Sequence, residues 1–127
     1  MAKHQRRRQR DSFLALPKHI INGPVFKALT GKAVKALIQL GEQFNGSNNG
    51  DLQAAYSVFQ AKGWRSKSTL RKALQELLDA GLIEQTRQGW LRPRRCNLYA
   101  LTWLAIDDCQ GKLDVQPTRV PSNLWRK

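Results

Sequence analysis

Cysteine, histidine and acidic residues are all scarce in this chain of 127 residues. Each shortage closes off a class of function. The cysteines are Cys96 and Cys109. Two thiols are too few for a disulfide scaffold and do not form a CxxC pair, so reduced thiols in a reducing compartment are expected. The histidines are His4 and His19. Neither stands at zinc-ligand spacing from a cysteine, so no metal site is expected. Long apolar runs are missing too: the longest stretch free of charge and turn residues, 98–106, has nine residues, against ~20 for a membrane span. The basic start MAKHQRRRQR is followed by only Phe13, Leu14, Ala15 and Leu16 before Pro17, which is short for the apolar part of an export leader. A nucleophilic triad and a phosphate loop are lacking, and Asp107-Asp108 is an adjacent pair without a third acid or a partner histidine. The expectation is a protein with no catalytic residues and no cofactor, cytoplasmic in location.

The acids number 9 against 22 lysines and arginines, a formal charge of +13. Such a surplus concentrates polyanions around a molecule, whether nucleic acid, anionic lipid or acidic protein. The positive residues are also grouped. Lys3, Arg6, Arg7, Arg8 and Arg10 fall in the first ten residues; Lys62, Arg65, Lys67, Arg71 and Lys72 fall in 62–72; Arg87, Arg92, Arg94 and Arg95 fall in 87–95. None of these windows contains an acid.

The 41% apolar content and the length suit one small core of roughly 100 residues with tails. Residues 1–12 are polar and aperiodic, which reads as a disordered basic arm. Pro17 and Pro24 suit the first turns of two short helices, 17–21 and 24–29. Thr30 is placed to cap a helix over 31–44, with Val34, Leu37, Ile38 and Gly41 on its inner face. The turn cluster 45–50 ends it. Asp51-Leu52 suits a strand stub, or Asp51 caps the next helix, expected over 53–62 with Ala55, Val58 and Phe59 inward. Gly63-Trp64-Arg65 breaks that helix. Ser66 then caps a helix over 67–80 with a stripe of Leu70, Ala73, Leu74, Leu77 and Leu78, and Gly81 stops it. Residues 82–86 and 96–103 carry strand vocabulary around a basic loop, so a hairpin is expected. From 105 to 127 the chain shows no period and reads as an extended tail.

Two helices joined by a short Gly-containing turn form a helix-turn-helix unit, and 53–80 meets that description. Its second helix presents Ser68, Arg71, Lys72 and Gln75 opposite the leucine stripe, with Lys67 and Thr69 in its first turn. These residue types bond base edges and phosphates, and a helix N-terminus favours anions. The acids Glu76 and Asp79 come late. A basic hairpin directly afterwards sets Arg87, Trp90, Arg92, Arg94 and Arg95 beside the same duplex. The fold class expected is α+β, mainly α: a winged helix-turn-helix over 13–104 with a C-terminal β-hairpin wing, the flexible arm and the tail.

With these residues in hand, the chain resembles winged helix-turn-helix DNA-binding proteins of bacterial phages, plasmids and integrated mobile elements. FNGSNNGDL at 44–52, SKSTLRKALQELLDAGLIEQTRQG at 66–89 and CNLYALTW at 96–103 carry the likeness. The wing departs from the pattern, since Trp90 and Pro93 make its tip bulkier than a short Gly turn. The resemblance implies a bacterial, nucleoid-associated regulator or origin-binding protein that recognises double-stranded DNA, as a monomer or a homodimer. Helix 67–80 would enter the major groove, with wing 87–95 and arm residues Arg6, Arg7, Arg8 and Arg10 on the backbone or minor groove. A second reading is an adaptor whose winged helix and tail bind an acidic protein, with Trp125 as a contact. Single-stranded nucleic acid ranks third, because no sheet of exposed aromatics is apparent.

Overall fold

Four of the five helix starts among the described residues carry a proline or a hydroxyl cap. The computed structural model describes residues 12–92 and 94–126. Pro17 precedes α1 (Lys18–Ile21) and Pro24 opens α2 (Pro24–Lys27), where a fixed φ is already helical. The Thr30 hydroxyl accepts the Ala33 N–H at 3.2 Å and starts α3 (Gly31–Gly41). The buried face of α3 is Ala33, Ala36, Leu37, Leu40 and Gly41, whereas Ile38 is exposed. The stripe is therefore shifted from the expected one. Small residues face the packed side, so a Cβ on Gly41 would stand 3.0 Å from Leu14.

α3 ends at Gly41, earlier than 44, because the next residues serve the sheet. Gln43 donates through Nε2 to the Gln53 carbonyl at 2.7 Å and accepts the Gln53 N–H at 3.0 Å. That side chain stands in for a neighbouring strand beside β1 (Leu52–Gln53). With Leu52 and Gln53 in the sheet, α4 is confined to Tyr56–Gln60. α5 (Lys67–Asp79) follows, capped by Ser66, whose hydroxyl accepts the Thr69 N–H at 3.2 Å. Gly81, at φ +75°, turns the chain out of α5 into β2 (Ile83–Arg87), and β3 (Leu98–Leu101) returns. The sheet is antiparallel in the order β1-β3-β2. Among the described residues the protein is thus a small α+β fold of five helices and a three-stranded antiparallel sheet.

α3 packs on α5, and α5 on β2. Leu37, Leu40, Phe59, Leu77, Ile83 and Leu101 are buried between these elements, each worth about 1.5–3 kcal/mol on removal from water. Segment 105–126 carries no element except a 3-10 turn at Leu124–Arg126, yet it lies back along the fold. Backbone bonds hold it: Asp107 N–H to Asn49 O (2.9 Å), Asp114 N–H to Thr86 O (2.9 Å) and Asn123 N–H to Thr102 O (2.8 Å). Among the described residues no helix is long and apolar enough to cross a membrane.

Candidate nucleic-acid interface

The exposed face of α5 is built by what its other faces must do. Leu70, Ala73, Leu74 and Leu77 are buried, which turns Lys67, Ser68, Arg71, Lys72 and Gln75 to the surface. Thr69 is half-buried beside the cap. Glu76 is drawn aside, since its carboxylate accepts both the N–H and the hydroxyl of Thr30 at 2.8 Å. An acid that would oppose an anion on this face instead ties α5 to the start of α3. Asp79, one turn beyond Gln75, accepts the Gln75 amide at 2.9 Å. That bond uses one of the two Nε2 protons, so the second proton and the Oε1 acceptor of Gln75 stay available to a partner.

The turn before α5 is clamped from below. Trp64 is buried and donates through Nε1 to Gln39 Oε1, while Gln39 Nε2 donates to the Lys62 carbonyl at 3.1 Å. Lys32 and Lys35 stand 5.6 and 5.5 Å from the Trp64 ring, and Lys62 pairs with Glu42 at 2.8 Å. These contacts fix how α4 presents α5, and Arg65 remains exposed in the turn.

The hairpin divides the expected wing arginines into two kinds. Arg87 belongs to β2, and its guanidinium donates to the Cys96 carbonyl at 2.9 and 3.2 Å. Arg95 lies flat over Trp90, 3.4 Å from the ring centre, and bonds the Gln88 carbonyl at 2.7 Å and Asp114 at 3.0 Å. Both brace the hairpin. Arg92 and Arg94 are exposed at its tip, and neither makes an ion pair among the described residues. The tip is closed by reciprocal backbone bonds between Trp90 and Arg95, 3.0 and 2.9 Å. The expected arm residues Arg6, Arg7, Arg8 and Arg10 lie outside the described residues.

Lys67, Arg71, Trp90 and Arg95 meet along one open groove of about 520 Å³ between α5 and the hairpin, with Tyr56 and Tyr99 contributing to its wall. Among the described residues, no carboxylate lines it. Burial pushes the Tyr99 hydroxyl above its ordinary range, the Asn97 contact opposing in part, so the phenol stays neutral at physiological pH. Ser68 and Lys72 lie on the outer face.

Asp114 has no counterpart among the residues singled out from sequence. It accepts the Gln88 N–H at 2.9 Å and both its oxygens meet Arg95, at 3.1 and 3.0 Å. The Gln88 N–H, together with the hydrogen bond and charge of Arg95, holds its carboxyl below the usual aspartate range, against an opposing effect of burial. The one available signal was its isolation, as the single acid in 109–127. Trp125, expected as a contact in the tail, is half-buried against the core, 5.4 Å from the His19 ring. Among the described residues no group of three or more His, Cys, Asp or Glu side chains is gathered to hold a metal ion. The chain matches no protein-family model, no curated protein and no solved structure.

Proposed function

We propose that this protein is a sequence-specific double-stranded DNA-binding protein of the winged helix-turn-helix type, a transcriptional regulator or origin-binding protein of a bacterial mobile element acting at the nucleoid. The observation that carries the reading is the face of α5. Lys67, Ser68, Arg71, Lys72 and Gln75 are exposed together, while Glu76 is turned onto Thr30 and the groove beside α5 has no carboxylate among the described residues that line it. The order α3, β1, α4, α5, β2, β3 with sheet order β1-β3-β2 supports the winged-helix assignment.

In this reading α5 enters the major groove. Arg71 and Gln75 contact bases, since a guanidinium matches guanine and an amide matches adenine. Lys67, Lys72, Arg92 and Arg94 contact phosphates, which position the protein without reading sequence. Arg6, Arg7, Arg8 and Arg10 add phosphate or minor-groove contacts from the arm. Arg87 and Arg95 act by shaping the wing.

The test is affinity selection of sheared genomic DNA at about 150 mM salt, where non-specific phosphate binding is weakened, with single-stranded DNA and RNA as competitors. A few discrete peaks sharing a motif support the reading, and their position at promoters or at an origin separates its two forms. A flat profile, or retention mainly of the competitors, removes it and favours an acidic protein partner.

A further inference from the structure

Two exposed apolar side chains, Trp90 and Leu91, stand next to each other at the end of the basic hairpin. Leu91 is 85% exposed and Trp90 is 47% exposed. A single exposed leucine is ordinary, but this one is mounted in an unusual way. It follows Trp90 in a loop closed by the two Trp90–Arg95 backbone bonds. Below the closure, the Arg95 guanidinium is stacked on Trp90 and tied to Gln88 and Asp114. Gly89 is held against Asn97, whose side-chain oxygen accepts the Gly89 N–H. A Cβ on Gly89 would meet the Arg95 carbonyl at 2.7 Å. Leu91 is thus an exposed apolar side chain next to a braced base, with Arg92 and Arg94 exposed close to it in the chain.

We propose that Leu91 is a wedge that enters a base step from the minor groove and bends the duplex. This rests on the DNA-binding reading above and adds to it a mode of action. Apolar side chains of this kind unstack a step when flanking cations hold the backbone on either side, and the duplex then kinks. Leu91 supplies the apolar group, Arg92 and Arg94 the backbone contacts, and the Trp90–Arg95 base the resistance that a flexible loop lacks. Specificity follows at a position that α5 does not touch. A pyrimidine–purine step, which unstacks readily, is favoured at a fixed distance from the bases read by α5.

The experiment measures end-to-end energy transfer in a donor–acceptor duplex of about 30 base pairs, cut from the fragments retained in the selection. Wild-type protein raises the transfer efficiency, in keeping with a kink of about 20–90°. L91A leaves the duplex straight while affinity falls by no more than roughly tenfold, and L91F restores the bend. Because Leu91 is exposed, none of these variants threatens the fold. A bend that survives in L91A, or binding by wild type with no bend, overturns the wedge and leaves DNA binding standing. Failure of wild type to bind any duplex at low salt overturns both. A parallel arm uses vesicles of phosphatidylserine and phosphatidylcholine. A Leu91-dependent blue shift of tryptophan emission that W90F abolishes, seen on vesicles and not on DNA, overturns the wedge in favour of a membrane surface.

Discussion

Replacing Asn49 by alanine should cost far more than an ordinary loop substitution, because its side chain is a buried hydrogen-bonding hub. Asn49 is fully buried at the end of a turn cluster. Its Oδ1 accepts the Leu101 N–H at 2.8 Å, and its Nδ2 faces the carbonyls of Leu101, Leu104 and Ala105 at 3.1, 3.3 and 2.9 Å. One side chain therefore satisfies the end of β3 and the start of the segment beyond it. Alanine orphans the buried Leu101 N–H and the Ala105 carbonyl, at about 1–3 kcal/mol for each group left unsatisfied. Water entering the gap recovers part, so N49A should lose about 2–4 kcal/mol from a total of about 5–15 for a domain of this kind. In a chain of this length that lowers Tm by roughly 10 °C. N49D keeps the acceptor for Leu101 but sets a second acceptor against three carbonyls, and should cost at least as much as N49A. Urea titration and thermal melts of the three proteins check this. A loss below about 0.5 kcal/mol, the ordinary scatter of surface changes, would refute the hub.

Three further outcomes are expected. G81A should destabilise by more than the ~1–2 kcal/mol of a left-handed alanine, because its Cβ would stand 2.6 Å from the Leu124 carbonyl; a melt within about 2 °C of wild type, well under the shift of roughly 4 °C or more that such a loss produces, would falsify the packing of the C-terminal turn. The Asp114 carboxyl is lowered by Gln88 and Arg95, so its contribution is present above the unfolded value of 3.8 and is lost as pH falls through the lower folded value. The Trp90 part of the emission, taken as the difference between wild type and W90F, should hold steady down to that range and change below it, and a change centred near neutral pH counts against the clasp. In DNA binding, R71A and Q75A should each reduce discrimination among sequences by about 1–3 kcal/mol. Neutralising Arg6, Arg7, Arg8 and Arg10 should weaken all sequences alike and flatten the salt slope by about 0.9 for every phosphate that the arm no longer neutralises. Selective weakening at one site in the arm variant would reverse those roles.

How far the sequence could be read depended on whether a residue's partner was local. α5 was legible at both ends, because Ser66, the leucine stripe and Gly81 act within a few residues of their own positions. The sheet was legible as a hairpin. α4 was overextended because Gln53 belongs to β1, and what holds it there is Gln43 and β3, partners that no local pattern reveals. The inner face of α3 was displaced for a related reason: alanines count weakly in a hydrophobic stripe, yet Ala33 and Ala36 are fully buried in it. In the turn cluster, Gly46 and Gly50 take the positive-φ positions, while Asn49 spends its side chain on the core, a role that no local turn pattern reveals. Among the wing arginines, Arg92 and Arg94 look like Arg87 and Arg95 in sequence. What separates them is the Cys96 carbonyl and Asp114, a strand and a loop away.

The charge surplus becomes more informative once the acids are placed. Glu42, Asp51 and Asp114 pair with Lys62, Lys112 and Arg95. Glu76 holds Thr30, Asp79 holds Gln75, Glu84 accepts from Ser122, and Asp107 accepts the Asn49 N–H. Most of these carboxylates are fastened to caps, turns and the returning segment, and the groove lined by Lys67, Arg71 and Arg95 has none among the described residues. The same allocation explains why bracing the hairpin uses Arg95 and Asp114 together: the pair cancels its own charge, so the base of the hairpin is held without weakening the field at the tip, and the rigidity that a wedge at Leu91 requires is obtained where the field is not needed.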